Sequence, residues 1–327
     1  MPSSLPATPQ TRPPFDPELA AVLTVLAEQL PPTITPEMIA PMREAAIAPP
    51  IEEILGQRLE ITHREETVPG YEGAELTVSI FARRNHTGKG PGFFHTHGGG
   101  MIIGDRFTGI DVMLDWVERF DGVCVSVEYR LAPEFPDPCP VEDCYAALVW
   151  TADHAAELGI DPGLLVIAGG SAGGGLAAGT TLLARDRSGP ALMGQVLIYP
   201  MIDDRNDTVS ARQVDGEGVW DRTSNDTGWD ALLGERRGTD EVSIYAAPAR
   251  ATDLSGLPPA FIDVATAEVF RDEDVAYAST IWASGGVAEL HVWPGGFHGF
   301  DLMVPHAALS RAMTAARTAW VERLLEP

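Results

Sequence analysis

The sequence predicts an α/β fold in which an eight-stranded, mostly parallel sheet is flanked by helices. Short apolar runs and longer helical patterns alternate between residues 91 and 325, and this alternation is typical of a parallel sheet covered on both faces. Two half-polar alternating segments before residue 91 predict an antiparallel pair at the start of the sheet. With 327 residues, 45% of them hydrophobic, the chain can bury a sizeable core.

Eight segments carry the residue patterns of strands, and helical patterns lie between most of them. The predicted strands cover residues 58–63, 76–81, 91–96, 123–127, 164–168, 195–199, 260–264 and 289–293. The predicted helices cover residues 16–30, a segment that starts at Thr35, and residues 110–120, 141–158, 176–185, 272–283 and 307–325. Because parallel strands share one carboxyl edge, we expect the reactive side chains to meet at that edge.

Residues 203–249 interrupt the alternation of strands and helices and are rich in Asp, Asn, Arg and Gly. The large apolar side chains of this segment are those of Trp220, Trp229, Leu232 and Leu233. We interpret the segment as an insertion of short helices that packs over the edge of the sheet.

The formal net charge of −25 limits the partners that we expect this chain to bind. Its negative field repels phosphates, so the composition argues against nucleic acid and against anionic membrane surfaces. No apolar run approaches the roughly 18 residues that suggest a membrane span. Residues 1–6 lack the basic and apolar segments of a secretory signal.

The three cysteines, Cys124, Cys139 and Cys144, do not form the pattern of a disulfide framework. Cys139 and Cys144 also lack the spacing and the histidine or cysteine partners of a zinc site. We therefore expect reduced thiols and a cytoplasmic protein, and nothing in the sequence implies a metal or another cofactor.

The stretch Gly169-Gly170-Ser171-Ala172-Gly173 joins a predicted strand to a predicted helix. In this setting Gly-x-Ser-x-Gly is typical of a sharp turn that projects the serine hydroxyl outward. Gly169 and Gly173 leave room for the adjoining strand and helix, where larger side chains would collide. The same pattern also arises by chance in turns without chemistry. The interpretation of Ser171 as a nucleophile therefore requires a base, an acid and oxyanion donors elsewhere in the chain.

A serine nucleophile needs an adjacent base, and the histidines that follow Ser171 are His291, His298 and His306. His291 falls inside a predicted strand, which favours a structural role. His306 lies at the start of a predicted helix. His298 lies in a glycine-rich loop directly after the last predicted strand, from which it can approach the serine. We therefore predict that His298 is the base.

The orienting acid has five candidates after the preceding strand: Asp263, Glu268, Asp272, Glu273 and Asp274. Asp263 lies within the strand itself. Asp272, Glu273 and Asp274 open a helix, where the helix dipole favours acidic residues without any catalytic role. Glu268 lies in the loop just past the strand end, and its side chain can reach the histidine ring N–H. We predict that Glu268 is the acid.

Acyl transfer also needs hydrogen-bond donors for the developing oxyanion, which are usually the largest single catalytic contribution. Ala172 supplies one backbone N–H directly after the serine. The loop after the third predicted strand reads His97-Gly98-Gly99-Gly100, and its glycines let the backbone approach a substrate and turn its N–H groups inward. Together with the serine turn, this loop predicts an oxyanion hole.

These motifs resemble the hormone-sensitive lipase family of α/β hydrolases, in particular its bacterial type IV carboxylesterase branch. The matching stretches, in the family's order, are His97-Gly98-Gly99-Gly100, Glu128-Tyr129-Arg130-Leu131-Ala132-Pro133-Glu134, the Ser171 turn, Tyr199-Pro200-Met201 and His298-Gly299-Phe300. The resemblance implies an α/β-hydrolase fold with a helical cap. It places the nucleophile on Ser171 and the base on His298. The oxyanion hole falls on Gly99, Gly100 and Ala172, with Gly98 as a further candidate.

Two positions depart from the family pattern. Many members carry aspartate just before the nucleophile, where this chain has Gly170, so a local side-chain contact should be missing. Many members also read Asp-Pro-Leu-Arg-Asp where this chain reads Glu268-Val269-Phe270-Arg271-Asp272. Aligning the shared Arg-Asp places the catalytic acid on Glu268, in agreement with its position in the loop.

The resemblance also implies a domain organisation, because the family's cap combines N-terminal helices with an insertion after the sixth strand. Residues 1–52 correspond to the N-terminal cap segment and residues 203–249 to the cap insertion. Residues 53–202 and 250–327 then form the two parts of the catalytic core. A homodimer is a further expectation from the resemblance.

The expected activity is the hydrolysis of small-molecule, short-chain carboxylic esters through an acyl-enzyme on Ser171. A lactone, amide or carbamate hydrolase that uses the same residues is the first alternative. A non-catalytic small-molecule-binding protein on this fold is the second, and the presence of His298 weighs against it. The sequence leaves open the natural substrate, its acyl length and alcohol group, and the stereoselectivity.

Overall fold

An eight-stranded sheet forms the centre of the computed structural model, which describes residues 11–28, 31–45 and 48–326. The strands follow the spatial order β1-β2-β4-β3-β5-β6-β7-β8. Their bounds are β1 (Ile61–Pro69), β2 (Glu75–Arg83), β3 (Gly90–Thr96), β4 (Val123–Val127), β5 (Ile160–Gly170), β6 (Gly194–Ile198), β7 (Ala260–Ala265) and β8 (Ala288–Trp293).

Two strand directions occur in the sheet. Strand β1 pairs antiparallel with β2, and β2 pairs antiparallel with β4. All other neighbours, from β4 through β3 and β5 to β8, pair in parallel. The mostly parallel, eight-stranded α/β fold that the sequence predicts is therefore confirmed. The loops that leave β3, β5, β6, β7 and β8 all emerge at the same edge.

Twelve α-helices accompany the sheet within the described residues. They are α1 (Pro17–Leu26), α2 (Ile39–Glu44), α3 (Ile51–Gly56), α4 (Asp111–Phe120), α5 (Cys139–Asp153), α6 (Ala155–Leu158), α7 (Ala172–Asp186), α8 (Val209–Gln213), α9 (Arg222–Leu233), α10 (Arg271–Ala283), α11 (Phe300–Met303) and α12 (Ala308–Leu325). In the part of the chain that the structure describes, no helix is both long enough and apolar enough to cross a membrane.

Several element boundaries differ from the sequence prediction. Strand β5 begins at Ile160 instead of residue 164, because Ile160 pairs with Gly90 at the start of β3. Helix α7 begins at Ala172 instead of residue 176, although glycines lower the local helix propensity there. Strand β1 begins at Ile61 instead of residue 58, and the single helix predicted over 141–158 is divided into α5 and α6.

The N-terminal segment contains helices that the sequence patterns locate only in part. The helix predicted over 16–30 ends at Leu26, and residues 29–30 lie outside the described residues. The helix predicted from Thr35 begins as a 3₁₀ turn, Pro36–Met38, and continues as α2. Helices α3 and α11, of six and four residues, are not predicted, because such short helices carry too little periodicity to detect.

The insertion between β6 and β7 contains α8 and α9 and is bonded to the N-terminal segment. The Ile34 backbone N–H donates to Ser224 Oγ at 2.8 Å, and Thr227 Oγ1 donates to the Ile34 carbonyl at 2.8 Å. Thr33 Oγ1 also donates to Asp221, the side chain that caps α9. These buried hydrogen bonds join two chain segments that are nearly two hundred positions apart in sequence.

Candidate active site

A cavity of about 590 Å³ lies at the carboxyl edge of the sheet. The serine turn after β5, the glycine loop after β3 and the loop after β8 all contribute to its lining. The N-terminal segment and the insertion supply further walls, with side chains that are mostly apolar, such as Ile34, Met42, Val219 and Trp220. The edge at which the sequence predicts that the reactive groups meet therefore borders a mostly apolar cavity.

Ser171 occupies the sharp turn between β5 and α7 with backbone angles φ 58° and ψ −126°. A non-glycine residue in this region is strained and persists only where its surroundings hold it. Its N–H donates to the Ile198 carbonyl at 2.9 Å, and its carbonyl accepts from the Met201 N–H at 2.9 Å. These two bonds, one to the end of β6 and one to the loop after it, fix both sides of the turn.

Three motif glycines differ in how much space the turn leaves them. A Cβ atom on Gly173 would lie 2.0 Å from the Thr96 carbonyl oxygen, and one on Gly169 would lie 2.4 Å from the Gly173 carbonyl oxygen. Side chains are excluded at both positions. A Cβ atom on Gly170 would instead lie 3.6 Å from Tyr199 Cε2, an ordinary contact distance. The turn itself therefore does not require glycine at position 170.

Ser171, His298 and Glu268 form one hydrogen-bonded chain. His298 Nε2 lies 2.9 Å from Ser171 Oγ, and Nδ1 lies 3.2 and 3.1 Å from the two Glu268 carboxylate oxygens. A carboxylate beside Nδ1 favours the tautomer with its proton there, which leaves Nε2 to accept from the serine hydroxyl. All three side chains are buried. The three residues that the sequence selects thus lie in mutual contact.

Aromatic side chains hold the His298 ring in place. The Tyr199 ring meets it edge-on with centroids 4.8 Å apart, and the Phe270 ring does so at 5.2 Å. Glu268 is held in turn, because its Oε1 accepts the Phe270 backbone N–H at 3.2 Å. Packing on two sides restricts ring rotation, so the imidazole is preorganised between serine and glutamate.

The other candidate acids have partners away from His298. Asp272 accepts the Ser210 backbone N–H at 2.8 Å and bonds its neighbour Arg271. Glu273 accepts the N–H groups of Ile202 and Asp203, and burial raises its pKa well above the ordinary range. Burial likewise raises the pKa of Asp274. The sequence interpretation of these residues as helix-dipole partners is incomplete, because Glu273 and Asp274 are buried and their neutral forms are favoured.

Asp263 belongs to a buried network beneath the base. Arg317 of α12 contacts Asp263 on β7 at 3.0 Å and Asp301 of α11 at 3.2 Å. Asp301 also accepts from the Tyr199 hydroxyl at 2.9 Å. Burial raises the pKa of Asp263 to about 6, although the Arg317 guanidinium opposes that shift. This network anchors the strand before Glu268, the helix after His298 and the ring that supports His298.

Sequence reasoning missed Asp301 and Arg317 as supporting residues, and no local motif marks them. The two other histidines considered as the base lie outside the cavity lining: His291 bonds Glu289 on the edge strand β8 and stacks on Phe261, and His306 is exposed. Within the described ranges, no cluster of three or more His, Cys, Asp or Glu side chains is arranged to hold a metal ion.

In the glycine loop after β3, two consecutive carbonyl groups accept hydrogen bonds from nearby residues. His97 Nδ1 donates to the Gly98 carbonyl at 2.8 Å, and the Gly99 carbonyl accepts from Ile102 and Ile103. In a trans peptide the C=O and the following N–H point in opposite directions. The N–H groups of Gly99 and Gly100 therefore point away from those bonds.

The backbone of the glycine loop is strained, and the histidine that opens it is buried. Gly99, Gly100 and Met101 have φ values of 111°, 62° and 61°, three successive residues in the region that favours glycine. His97 is fully buried and stacks on Tyr129 at 4.1 Å, and burial lowers the pKa of its imidazole so that the ring is neutral near pH 7. The rigid His97 ring thus holds the Gly98 peptide in one orientation.

Four backbone N–H groups at the site have no acceptor in the described part of the chain. No acceptor among the described residues takes the N–H of Gly98, Gly99, Gly100 or Ala172. Ala172 opens α7, and its N–H points away from the Ser171 carbonyl, which already accepts from Met201 and Gly175. The N-terminus of a helix also carries partial positive charge. Together these groups form a set of free donors next to a serine hydroxyl.

Comparison with known proteins gives the family. A family model described as alpha/beta hydrolase fold matches residues 93–302, a stretch that contains the serine, the glutamate, the histidine and the glycine loop. The chain belongs to the alpha/beta hydrolase family. The predicted resemblance to its hormone-sensitive lipase branch, with the bacterial type IV carboxylesterases, is confirmed.

Three relatives show how far the likeness of this hydrolase extends. Carboxylesterase NlhH of Mycobacterium tuberculosis is 35% identical over 93% of this chain and 97% of its own length. The solved structure of a bacterial heroin esterase is 37% identical with a TM-score of 0.86, covering 96% of this chain and 98% of that one. The structure of esterase LipW from Mycobacterium marinum is 29% identical with a TM-score of 0.83, covering 97% and 99%.

Near-complete coverage in both directions means that this hydrolase shares the whole architecture of these esterases. The fold, the family and the named carboxylesterase relatives agree on one class of reaction. The protein is a carboxylic ester hydrolase.

Proposed function

We propose that this protein is a serine esterase in which Ser171 is the nucleophile, His298 the general base and Glu268 the orienting acid. The observation that carries the proposal is the 2.9 Å contact between His298 Nε2 and Ser171 Oγ, with Glu268 at 3.1 Å from Nδ1. Such an arrangement activates a hydroxyl that is otherwise a weak nucleophile.

In the proposed acylation step, the Ser171 oxygen attacks the ester carbonyl carbon while His298 takes the hydroxyl proton. The carbonyl oxygen becomes an oxyanion that accepts from the N–H groups of Gly99, Gly100 and Ala172. The tetrahedral intermediate then collapses, and the alcohol leaves with the proton from the His298 imidazolium. Glu268 stabilises that imidazolium without taking its proton.

Deacylation repeats these steps with water in the place of serine. His298 removes a proton from the water, whose oxygen attacks the acyl carbon, and Ser171 leaves with the proton from the imidazolium. The buried position of the triad supports this role, because its charges act in a poorly solvated environment where electrostatic interactions are stronger.

We further propose that residues 1–52 and 203–249 form a cap that determines which esters enter. The hydrogen bonds between Ile34 and α9, and the side chains of both segments in the cavity lining, support this proposal. A cavity of about 590 Å³ with mostly apolar walls suits small, uncharged esters with short acyl chains. The relatives named above are carboxylesterases and esterases, which agrees with this class.

A panel of p-nitrophenyl esters of increasing acyl length tests the proposal. We expect turnover of the shorter esters, a decline with acyl length, and covalent labelling of Ser171 by an organophosphate. The Ser171→Ala variant, which removes only the hydroxyl oxygen, should lose both activity and labelling while its thermal unfolding stays close to that of the wild type. Labelling at another residue, or retained turnover in Ser171→Ala, would refute the assignment.

A further inference from the structure

His95, on β3, lines the substrate cavity but takes no part in the proposed triad. The chain segment that follows the glycine loop contributes Ile103, Thr108, Gly109, Val112 and Met113 to the same cavity lining. These residues, with His95, define what we call the His95 subpocket. His95 is only 3% exposed, so its imidazole is an almost completely buried polar group beside an apolar space.

The hydrogen bonds around His95 determine its tautomer. The Ser126 hydroxyl donates its only proton to the Arg106 carbonyl at 2.6 Å. His95 Nδ1 lies 2.9 Å from the same hydroxyl oxygen, which can only accept there. Nδ1 therefore carries the ring proton, and in a neutral imidazole Nε2 must then be a bare acceptor.

Among residues 11–28, 31–45 and 48–326, no donor makes a hydrogen bond to His95 Nε2. The atom is not sealed inside the protein, and the side chain lines the cavity, so Nε2 is open to that space. Burial lowers the pKa of His95 to about 3, so the ring is neutral under ordinary conditions and Nε2 keeps its lone pair. A donor that meets Nε2 there must come from a ligand or from a water molecule.

We propose that His95 Nε2 accepts a hydrogen bond from a hydroxyl or amide N–H group of the substrate. The preferred substrates are then esters that carry a hydrogen-bond donor on the part that enters the His95 subpocket, and not purely hydrocarbon esters. This inference rests on the proposed function, since it concerns substrates that react at Ser171.

The expected effect is a preference that depends on the ring nitrogen. A neutral hydrogen bond in a mostly apolar site is worth about tenfold in kcat/KM, and pockets built around such bonds discriminate against substrates that lack the donor. Substituting His95 by phenylalanine keeps a planar ring of similar size but removes the acceptor. The preference for donor-bearing esters over their hydrocarbon partners should therefore vanish in this variant.

The experiment uses matched ester pairs that differ by one hydroxyl group. On the acyl side the pairs are methyl butyrate with its 2-hydroxy and 3-hydroxy derivatives. On the alcohol side they are propyl acetate with 2-hydroxyethyl and 3-hydroxypropyl acetate. Because a hydroxyl group also changes intrinsic reactivity, the measured quantity is the hydroxyl-to-hydrocarbon ratio of kcat/KM in wild type divided by that in His95→Phe.

Two further variants give controls. Ser126→Ala removes the acceptor of the Nδ1 proton, so that proton can move to Nε2 and the tautomer of His95 is no longer fixed. This variant should weaken the preference while the His95 side chain stays in place. His63→Phe alters a half-buried histidine on β1 that bonds Ser79 and does not line the cavity. It should leave the preference unchanged. If His95→Phe fails to fold, Ser126→Ala tests the same prediction.

A wild-type-to-variant ratio of threefold or more for at least one hydroxylated ester supports the proposal. Smaller ratios for every ester in the panel overturn it, whether or not the enzyme is active. Failure of the proposed function has a different signature, because wild type would then hydrolyse neither member of any pair.

Discussion

At the scale of single residues, the proposed acid is a glutamate. Glu268 stands where many family members are expected to carry aspartate, and its carboxylate meets both the His298 ring and the Phe270 N–H. Glutamate has one more methylene group than aspartate, so its carboxylate lies farther from the backbone of the loop after β7. The Phe270 N–H and the full burial of Glu268 hold that carboxylate in place.

Substitution of the two nearby acids should separate catalysis from structure. Glu268→Gln should lower kcat by roughly 10³-fold or more, because the amide no longer fixes the histidine tautomer or stabilises the imidazolium. Asp272→Asn should keep most of the activity, since Asp272 bonds Ser210 and Arg271 and not His298. Steady-state kinetics with one activated ester measures both. The reverse outcome would assign the acid to Asp272.

At the scale of elements, α10 carries a carboxyl group that is unusual for a helix start. Neither carboxylate oxygen of Asp274 has a partner among the described residues, and burial raises its pKa well above the usual range. Above the unfolded pKa near 3.8, the unfolded chain loses this proton while the native protein keeps it. The native state then holds more protons than the unfolded state, so this group lowers the free energy of unfolding as pH rises.

Asp274→Asn should therefore stabilise the protein relative to wild type by an amount that grows with pH. The gain should reach about 1.4 kcal/mol per pH unit wherever the native state still holds the proton. Urea unfolding between about pH 4.5 and about pH 7.5 measures it. Asp253→Asn is the control, because hydrogen bonds from Ser255 lower the pKa of the exposed Asp253. Asp253 is then ionised in both the native and the unfolded state throughout this range, so the pH profile of Asp253→Asn should stay parallel to that of the wild type. Parallel pH profiles for wild type and Asp274→Asn would contradict the prediction.

Also at the scale of elements, Arg43 of α2 joins the N-terminal segment to the glycine loop after β3. Arg43 donates to the Ile102 carbonyl at 2.7 Å and to the Ala132 carbonyl at 2.5 Å, and it pairs with Glu134 at 2.9 Å. Ile102 belongs to the turn that holds the Gly99 carbonyl. The strained glycine loop is thus supported by a residue from the N-terminal segment, whose neighbour Met42 lines the cavity.

Arg43→Met should lower kcat about tenfold with a smaller change in KM, because a looser glycine loop stabilises the oxyanion less well. Affinity for a trifluoromethyl ketone, which forms an oxyanion on Ser171, should fall in parallel with kcat. Arg64→Met is the matched control, since Arg64 is a half-exposed arginine on β1 paired with Glu66. A rise in KM alone, with unchanged ketone affinity, would contradict this prediction. It would show that Arg43 positions the proposed cap and does not support the oxyanion donors.

At the scale of the whole molecule, we expect the net charge and the cavity lining together to influence which esters react. The chain has a net charge of −25, and its cavity has mostly apolar walls. Such a field attracts cations and repels anions over distances limited by ionic strength. Neutral esters should be insensitive to it.

Salt should therefore affect charged esters in opposite directions. Between about 20 mM and about 500 mM NaCl, kcat/KM should fall about three- to tenfold for a cationic choline ester. It should rise for an anionic ester such as a succinate monoester and stay level for ethyl butyrate. Initial rates at constant pH measure all three. Equal salt responses for the cationic and anionic esters would show that the global charge does not act at the cavity.

The sequence alone was sufficient to predict the sheet, and it selected the three residues that the structure brings together around His298. Strand periodicity and the alternation with helices predicted eight strands in a mostly parallel sheet, because these patterns repeat within a few residues. The motifs around Ser171, His298 and the glycine loop are equally local, since each depends on adjacent residues in a turn. Glu268 followed from its position in a loop and from the shared Arg-Asp alignment.

Only the tertiary structure decided the long-range relationships. It showed that Glu268 and not Asp272 reaches His298, that Glu273 and Asp274 are buried, and that β5 extends to Ile160 through its pairing with β3. The Arg317 network, the Arg43 bonds and the bare acceptor on His95 likewise join residues that are distant in the chain. Burial and hydrogen bonding between such residues depend on how elements pack, and no local pattern in the sequence encodes that packing.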